Sequence, residues 1–344
     1  MPLAASATWA EALDLNLAAR YTDYSSSGGV TTWKAGATWD INDQVRLRAT
    51  RSRDIRAGNL AELFTPVSTA TTSGLRNPIT GDSSPALVET RGNRTLDPEE
   101  ADTLTAGIAY APNWASGLRL SVDYYEIKID GAIGTLTAQQ IVDRCYLDQL
   151  ASFCGLIQTD AADRITRVTT TQLNLDQFET NGFDFEVAYD LPLAQLWSGA
   201  RGDLGFRVLA NYVDELATTA AVNGRVTDPA GQYTTPHWSA YGTIRYDLDR
   251  LSTVLDIRWF EGGAIDNTLT LGALSATGVN INYVGSSTYL NASVSYRFGQ
   301  DESIETFARV NNLLDEWPPF PNNGTLLFDE VGRSYRVGVR FRFD

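Results

Sequence analysis

The sequence predicts an all-β chain, an antiparallel transmembrane β-barrel of about twelve strands in a single domain over residues 1–344. Three observations predict it. Apolar and polar residues alternate with period two from end to end, which puts one set on each face of a strand. Connections alternate between short turns and long loops, the arrangement of barrels whose turns lie on one side of a membrane and loops on the other. Tyr (15), Phe (13), Trp (8) and Gly (28) are abundant and lysine is nearly absent, a profile of strands and turns rather than long helices.

Taken in order, the first strand runs near Ala12 to Tyr21, and a short turn follows from Asp40 to Gln44. A long loop spans Ile55 to Glu99, a turn Pro112 to Gly117, and a second long loop Gly131 to Asp163. The stretch from about Thr169 to Asp190 reads as one long strand, which leaves the C-terminus on the short-turn side. Division of that stretch by a turn at Leu175 to Gln177 is the competing reading, and it breaks the parity by one. Long loops at Asp214–Pro236, Gly262–Val284 and Asn312–Gly332 then alternate with short turns at Asp247–Leu251 and Gly299–Ser303.

Three late strands show the alternation most cleanly. In TVLDIRWF, Leu255, Ile257 and Trp259 oppose Asp256 and Arg258; in YLNASVSYRFG, Leu290, Ala292, Val294, Tyr296 and Phe298 oppose Asn291, Ser293, Ser295 and Arg297. In the last, Tyr335, Val337, Val339, Phe341 and Phe343 oppose Arg336, Gly338, Arg340 and Arg342. Aromatic residues near strand ends, such as Tyr110, Tyr124, Tyr212 and Tyr246, fit interfacial girdles better than a dry sandwich core.

A formal net charge of -15 excludes nucleic acid as a partner, because phosphate binding needs clustered cations. No apolar run is long enough for a transmembrane helix. The first residues carry no export signal, and Met1 reads as the start of a shortened frame. Cys145 and Cys154 suit a small disulfide-closed loop, which implies an oxidising compartment; two unrelated thiols are the alternative. With one histidine, His237, the sequence offers neither a catalytic triad nor a metal site, so no enzymatic activity, metal or cofactor is expected. Carboxylate pairs such as Glu99–Glu100 and Asp301–Glu302 read as solvated charge, with cation binding in loops as the lesser alternative.

IETFARVNNLLDEWPPFPNN followed by GRSYRVGVRFRF resembles the last two strands of TonB-dependent receptors. RSRDIRAGNLAELFTP, NRTLDPEEADTLTAGIAY and ETNGFDFEVAYDLPL resemble further elements of that family, in the same order. Gly58 stands where the first element usually has proline, and Asp344 follows the aromatic residue on which the family generally ends. The resemblance implies a 22-stranded barrel, of which about twelve strands make roughly half the wall. It also implies a plug domain and an energy-coupling box, neither of which precedes Trp9, so this chain is expected to be truncated and not transport-competent alone.

The implied function is an outer-membrane receptor for a scarce nutrient, a siderophore, cobalamin or oligosaccharide. Its implied partners are outer-membrane lipid and lipopolysaccharide, the plug and remaining barrel half, the TonB complex and the small-molecule nutrient. In the family, extracellular loops and the plug apex capture ligand, which makes Phe64, Arg76, Asn77, Trp317 and Phe320 candidates for stacking and hydrogen bonding. The arginines Arg297, Arg309, Arg336, Arg340 and Arg342 are expected to face the lumen. The rivals are a complete small barrel acting as a passive channel or outer-membrane hydrolase, and a secreted all-β carbohydrate-binding module.

Overall fold

The structure, a computed structural model, describes residues 2–7, 9–24, 28–220, 226–269, 281–299, 301–319 and 327–342. Phe320 and Phe343 lie outside the described residues. A curved antiparallel wall contains β1 (Pro2–Ala7), β2 (Ala10–Tyr24), β3 (Gly28–Asp40) and β4 (Val45–Arg56). A loop region holding α1 (Leu60–Phe64), β5 (Ser68–Arg76) and β6 (Ser83–Arg91) follows, and the wall resumes with β7 (Glu99–Tyr110) and β8 (Leu118–Thr135). Next come α2 (Ala138–Tyr146), α3 (Ala151–Cys154) and β9 (Ile157–Thr159), then the wall strands β10 (Ile165–Pro192) and β11 (Asp203–Ala220).

After β12 (Val226–Thr227), the wall continues through β13 (Trp238–Leu248) and β14 (Leu251–Phe260). A loop hairpin of β15 (Gly263–Ala264) and β16 (Tyr283–Val284) precedes β17 (Ser287–Phe298), β18 (Ile304–Asn311) and β19 (Ser334–Phe341). Each wall strand pairs antiparallel with the next, in the order β1, β2, β3, β4, β7, β8, β10, β11, β13, β14, β17, β18 and β19. The sequence pattern accounts for twelve of these strands and misses β1, whose short Ala-rich stretch has no alternation to read.

Among the described residues no ladder joins β19 to β1 or β2. Exposure agrees: Val337 on β19 is 81% exposed, whereas Val294 on β17, two strands inward, is 42% exposed, because a side chain between two neighbouring strands is flanked on both sides.

The register carries one apolar face across the whole wall. Leu17 lies beside Ala35, Leu47 beside Trp39 and Ile108, Val122 beside Ile108 and Phe185, and Ala210 beside Phe185 and Ala240. It continues through Ile257 beside Gly242 and Leu290, and ends at Val337 beside Ala308. Rings cluster at its upper rim, where Tyr124, Phe183, Phe185, Trp238 and Tyr212 touch one another at centroid distances of 4.8–6.2 Å. Trp238 and Tyr246 bound the face on β13; eight residues span roughly 27 Å along a strand, or about 20 Å across a layer at the tilt usual in barrels. That height matches the apolar band such barrels present.

β10 is a single strand, and its register against β8 slips between Asn174 and Phe178, where the sequence left room for a turn. Bulges absorb the extra residues without reversing the chain. Its length, roughly 90 Å at the usual rise, far exceeds what an apolar band of about 25 Å requires. The first residues of β10 therefore stand clear of the band. There Arg167–Thr171 pair in parallel with Leu87–Arg91 of β6, while β6 pairs with β5 and β9 pairs with β10.

α2 and α3 cover this small mixed sheet, and Leu75, Ala86, Ile141, Val142, Phe153, Ile165 and Val168 form a buried core between them. Cys145 and Cys154, bonded to each other with Cα atoms 4.8 Å apart, tie α2 to α3. A second buried cluster, Tyr233, Val284, Tyr289 and Phe328, gathers the β11–β13, β14–β17 and β18–β19 loops. The long connections thus fold into two compact units on one side of the wall. The other side has short turns, such as the one at Asp249, a non-glycine residue at φ 49°.

Candidate functional site: the inner wall and its loop crown

The inner face is polar, and most of its charges neutralise one another across strands. Arg207 on β11 pairs with Glu186 on β10 at 2.8 Å, and Arg340 on β19 with Glu305 on β18 at 3.2 Å. Of the arginines expected on this face, Arg297 reaches Glu302 at 3.2 Å and Arg309 lies 3.9 Å from Asp256. The side chains of Arg336 and Arg342 have no partner among the described residues.

Two of these contacts skip a strand: Arg309 reaches Asp256 across β17, and a closer one crosses β7. Arg48 on β4 donates to Asp123 on β8 at 2.6 Å, across Gly107 of β7. A Cβ at position 107 collides with the Asp123 carboxylate, so only glycine leaves the space this pair occupies. Gly107→Val is therefore expected to displace Asp123 and lower the urea midpoint of the assembled wall. The pair is half exposed, which limits the loss to about 1 kcal/mol; an unchanged midpoint contradicts this role for Gly107. Gly338 is similarly covered by the ring of Phe307, so a side chain there is less innocuous than its lumenal position suggests.

The motif RSRDIRAGNLAELFTP and the motif LDPEE meet in space. Arg56 donates to both oxygens of Glu99 at 2.6 and 2.7 Å, and its remaining nitrogen donates to Glu62 at 3.0 Å. Glu62 also accepts from the Asn59 N–H at 2.7 Å in a capping box that starts α1, and Glu99 accepts from the Ile133 N–H at 2.7 Å. These motif residues clamp the β4–β7 loop to the wall.

The sequence-based ligand candidates fall apart in space. Phe64 is exposed on α1 with the Arg94 guanidinium 5.1 Å above its ring. The backbone N–H and C=O of Arg76 are both held by the Gln139 side chain at 2.9 Å, which caps the free edge of β5. Asn77 is 4% exposed, and its side-chain oxygen accepts from Ile79 and Thr80, so it builds the turn that follows β5. Trp317 is 75% exposed. His237 donates from Nδ1 to the Val213 carbonyl at 2.6 Å and stacks on Tyr212, a structural placement. In the tip of the β9–β10 loop, the Arg164 guanidinium and nearby N–H groups hold the carboxyl of Asp160 below its ordinary range.

The arrangement that sequence reasoning missed centres on β14 and β17. Arg258 lies with its guanidinium 4.9 Å from the ring centre of Tyr289 and 5.4 Å from that of Phe260. Tyr289 is the cross-strand neighbour of Arg258, is buried, and accepts from the Asp329 N–H at 3.2 Å, which fixes the returning β18–β19 loop. A cleft of about 580 Å³ lies under Phe328, Asp329 and Val331 and is lined by Arg258, Tyr241, Asn291 and Asn311. The sequence held a signal for it: Arg258 and Phe260 stand two apart on the polar face, so ring and guanidinium share a side.

A family model described as TonB dependent receptor-like, beta-barrel matches residues 3–313. The chain belongs to this family. Among solved structures, the siderophore receptor PirA from Acinetobacter baumannii superposes with a TM-score of 0.66 at 18% identity, covering 96% of this chain and 43% of that one. The ferric enterobactin receptor PfeA (G324V mutant) from Pseudomonas aeruginosa gives 0.65 at 15%, covering 96% and 43%. The ferripyoverdine receptor of the outer membrane of Pseudomonas aeruginosa gives 0.55 at 14%, covering 96% and 36%. The chain thus spans less than half the length of these receptors, and the likeness to them is one of fold. No curated protein matches the sequence. As a TonB-dependent receptor barrel, the wall aligns with a family of outer-membrane transport receptors rather than enzymes.

Proposed function

We propose that this chain forms part of the barrel wall of an outer-membrane receptor that takes up a scarce nutrient, with a ferric siderophore as the favoured class. The observation that carries this reading is the pairing of an unbroken apolar outer face with an ion-paired inner face, crowned on one side by loops folded over a polar cleft. Apolar side chains facing outward along the wall from β2 to β19 are stable in lipid and costly in water. Siderophore receptors among the structural neighbours favour a ferric chelate over cobalamin or an oligosaccharide. Active import through such a wall draws on a plug domain and on TonB, which we assign as partners together with outer-membrane lipid and lipopolysaccharide. The chain performs no catalysis in this reading.

The test uses the full chain, exported to the outer membrane of a host lacking its own ferric-chelate receptors. Outer membranes carrying the chain should retain radiolabelled ferric chelate above control membranes, and should not retain labelled cobalamin or maltooligosaccharide. Equal retention of all three by carrier and control membranes contradicts the reading.

A further inference from the structure

Arg258 stands apart from the other charges of the inner wall. The described arginines around it, Arg48, Arg207 and Arg309, each have a carboxylate within ion-pair distance. Arg258 has no ion pair or side-chain hydrogen bond among the described residues, and two rings hold it instead. A cation held by aromatic rings is attracted to their π clouds rather than to a carboxylate, so its N–H donors remain available for the oxygens of an anion.

Arg258 and Tyr241 also line a second cleft, about 490 Å³, with Ser121, Asp184, Asn211 and Ser239. The cleft under the β18–β19 loop and this one adjoin at those two side chains. A group bound in either meets the same guanidinium. The Tyr241 hydroxyl donates to Asp256 at 3.0 Å, Asp256 lies 3.9 Å from Arg309, and Asp184 accepts from Asn211 at 2.8 Å, while neither carboxylate is within ion-pair distance of Arg258.

We propose that Arg258 selects for ligands carrying an anionic group with two coplanar or adjacent oxygens, and that it engages this group from either cleft. The inference rests on the receptor reading above and adds to it the residue that discriminates by charge. A fork of two N–H donors matches a pair of oxygens on one anionic group, whereas a neutral ligand of the same size leaves the fork unpaired. Lysine keeps the charge without the fork or the ring contacts.

The experiment measures binding to the full chain in outer-membrane vesicles by quenching of tryptophan fluorescence. The probes are the anionic iron(III) tris(2,3-dihydroxybenzoate) complex and the neutral iron(III) tris(acetohydroxamate) complex. The chain should bind the anionic complex on the order of ten-fold more tightly than the neutral one. Arg258→Gln should bring the ratio close to one, Arg258→Lys should leave it in between, and Phe260→Leu should reduce it less than Arg258→Gln. A heat-dependent gel shift in each variant shows that the wall has assembled. An unchanged ratio in Arg258→Gln overturns the assignment while leaving the receptor reading intact, as does equal binding of both complexes by the unaltered chain. Binding of neither complex overturns both.

Discussion

Ile257→Arg abolishes assembly of the wall. Ile257 lies at mid-height on β14, between Gly242 and Leu290 on the apolar face, with Leu255 and Trp259 on the same side of its own strand. An arginine at the midplane of a barrel's lipid face costs about 2 to 4 kcal/mol, and no carboxylate on that face lies within this part of the belt to compensate it. Val339→Arg on β19 has the same sign, since Val339 continues the face beside Thr306. Ser293→Arg on β17 is the control: Ser293 pairs with Arg309 and Val254 on the inner face, where water reaches a new charge. Gels run with and without boiling should lose the heat-dependent shift in Ile257→Arg and keep it in Ser293→Arg. Retention of the shift in Ile257→Arg removes the lipid-facing assignment of this side.

Arg56→Ala loosens the β4–β7 loop without dismantling the wall. The Glu62 and Glu99 side chains are only 16% and 13% exposed, and Arg56 alone bridges them. Its removal leaves two mostly covered carboxylates facing each other. For a fully buried pair such a loss costs about 3 to 5 kcal/mol; with Arg56 itself 46% exposed, about 1 to 3 kcal/mol is the expected scale. Hydrogen exchange should quicken in α1 and in residues 92–98, where Asn93 donates to Glu62 of α1 and Gly92 to Thr65 just beyond it, and remain unchanged in β13 to β18. Arg56→Lys should recover part of the protection, because a single ammonium serves one carboxylate well and two poorly. Uniform quickening across the chain, or none at α1, contradicts the clamp.

The wall was legible because it repeats. Strand side chains alternate regardless of what surrounds them, so Leu255, Ile257 and Trp259 declare a face before any partner strand is known. β10 was readable as a single strand from parity. Its bulges were not, because a bulge depends on register with β8 and leaves no local mark on Asn174 to Phe178.

The loops were legible only as lengths. β6 and the first residues of β10 pair in parallel across 80 positions of sequence, from Val88 to Val168, and no local period predicts such a contact. One local signal was present and passed over: Thr137 and Gln140 form a capping box ahead of Ile141 and Val142, the usual start of an amphipathic helix. The candidate site failed to emerge for a related reason. Phe64, Arg76, Asn77 and Trp317 stand out in the sequence by lying in loops, whereas Arg258, Phe260 and Tyr289 lie on strands and become neighbours only through the β14–β17 ladder. Asn77 shows the cost of choosing by residue type, since the same side-chain amide that binds ligands also closes turns.

The most direct test of a wall with one lipid face and one water face is nitroxide accessibility along β14. Single spin labels at positions 251 to 260, in the full chain with Cys145 and Cys154 kept oxidised, are reconstituted in outer-membrane lipid. Collision rates with oxygen, which concentrates in lipid, and with a water-soluble nickel chelate are then compared. Period-two alternation is expected, with oxygen favoured at 253, 255, 257 and 259 and the nickel chelate favoured at 252, 254, 256 and 258. Uniform access of the nickel chelate to both sets contradicts it.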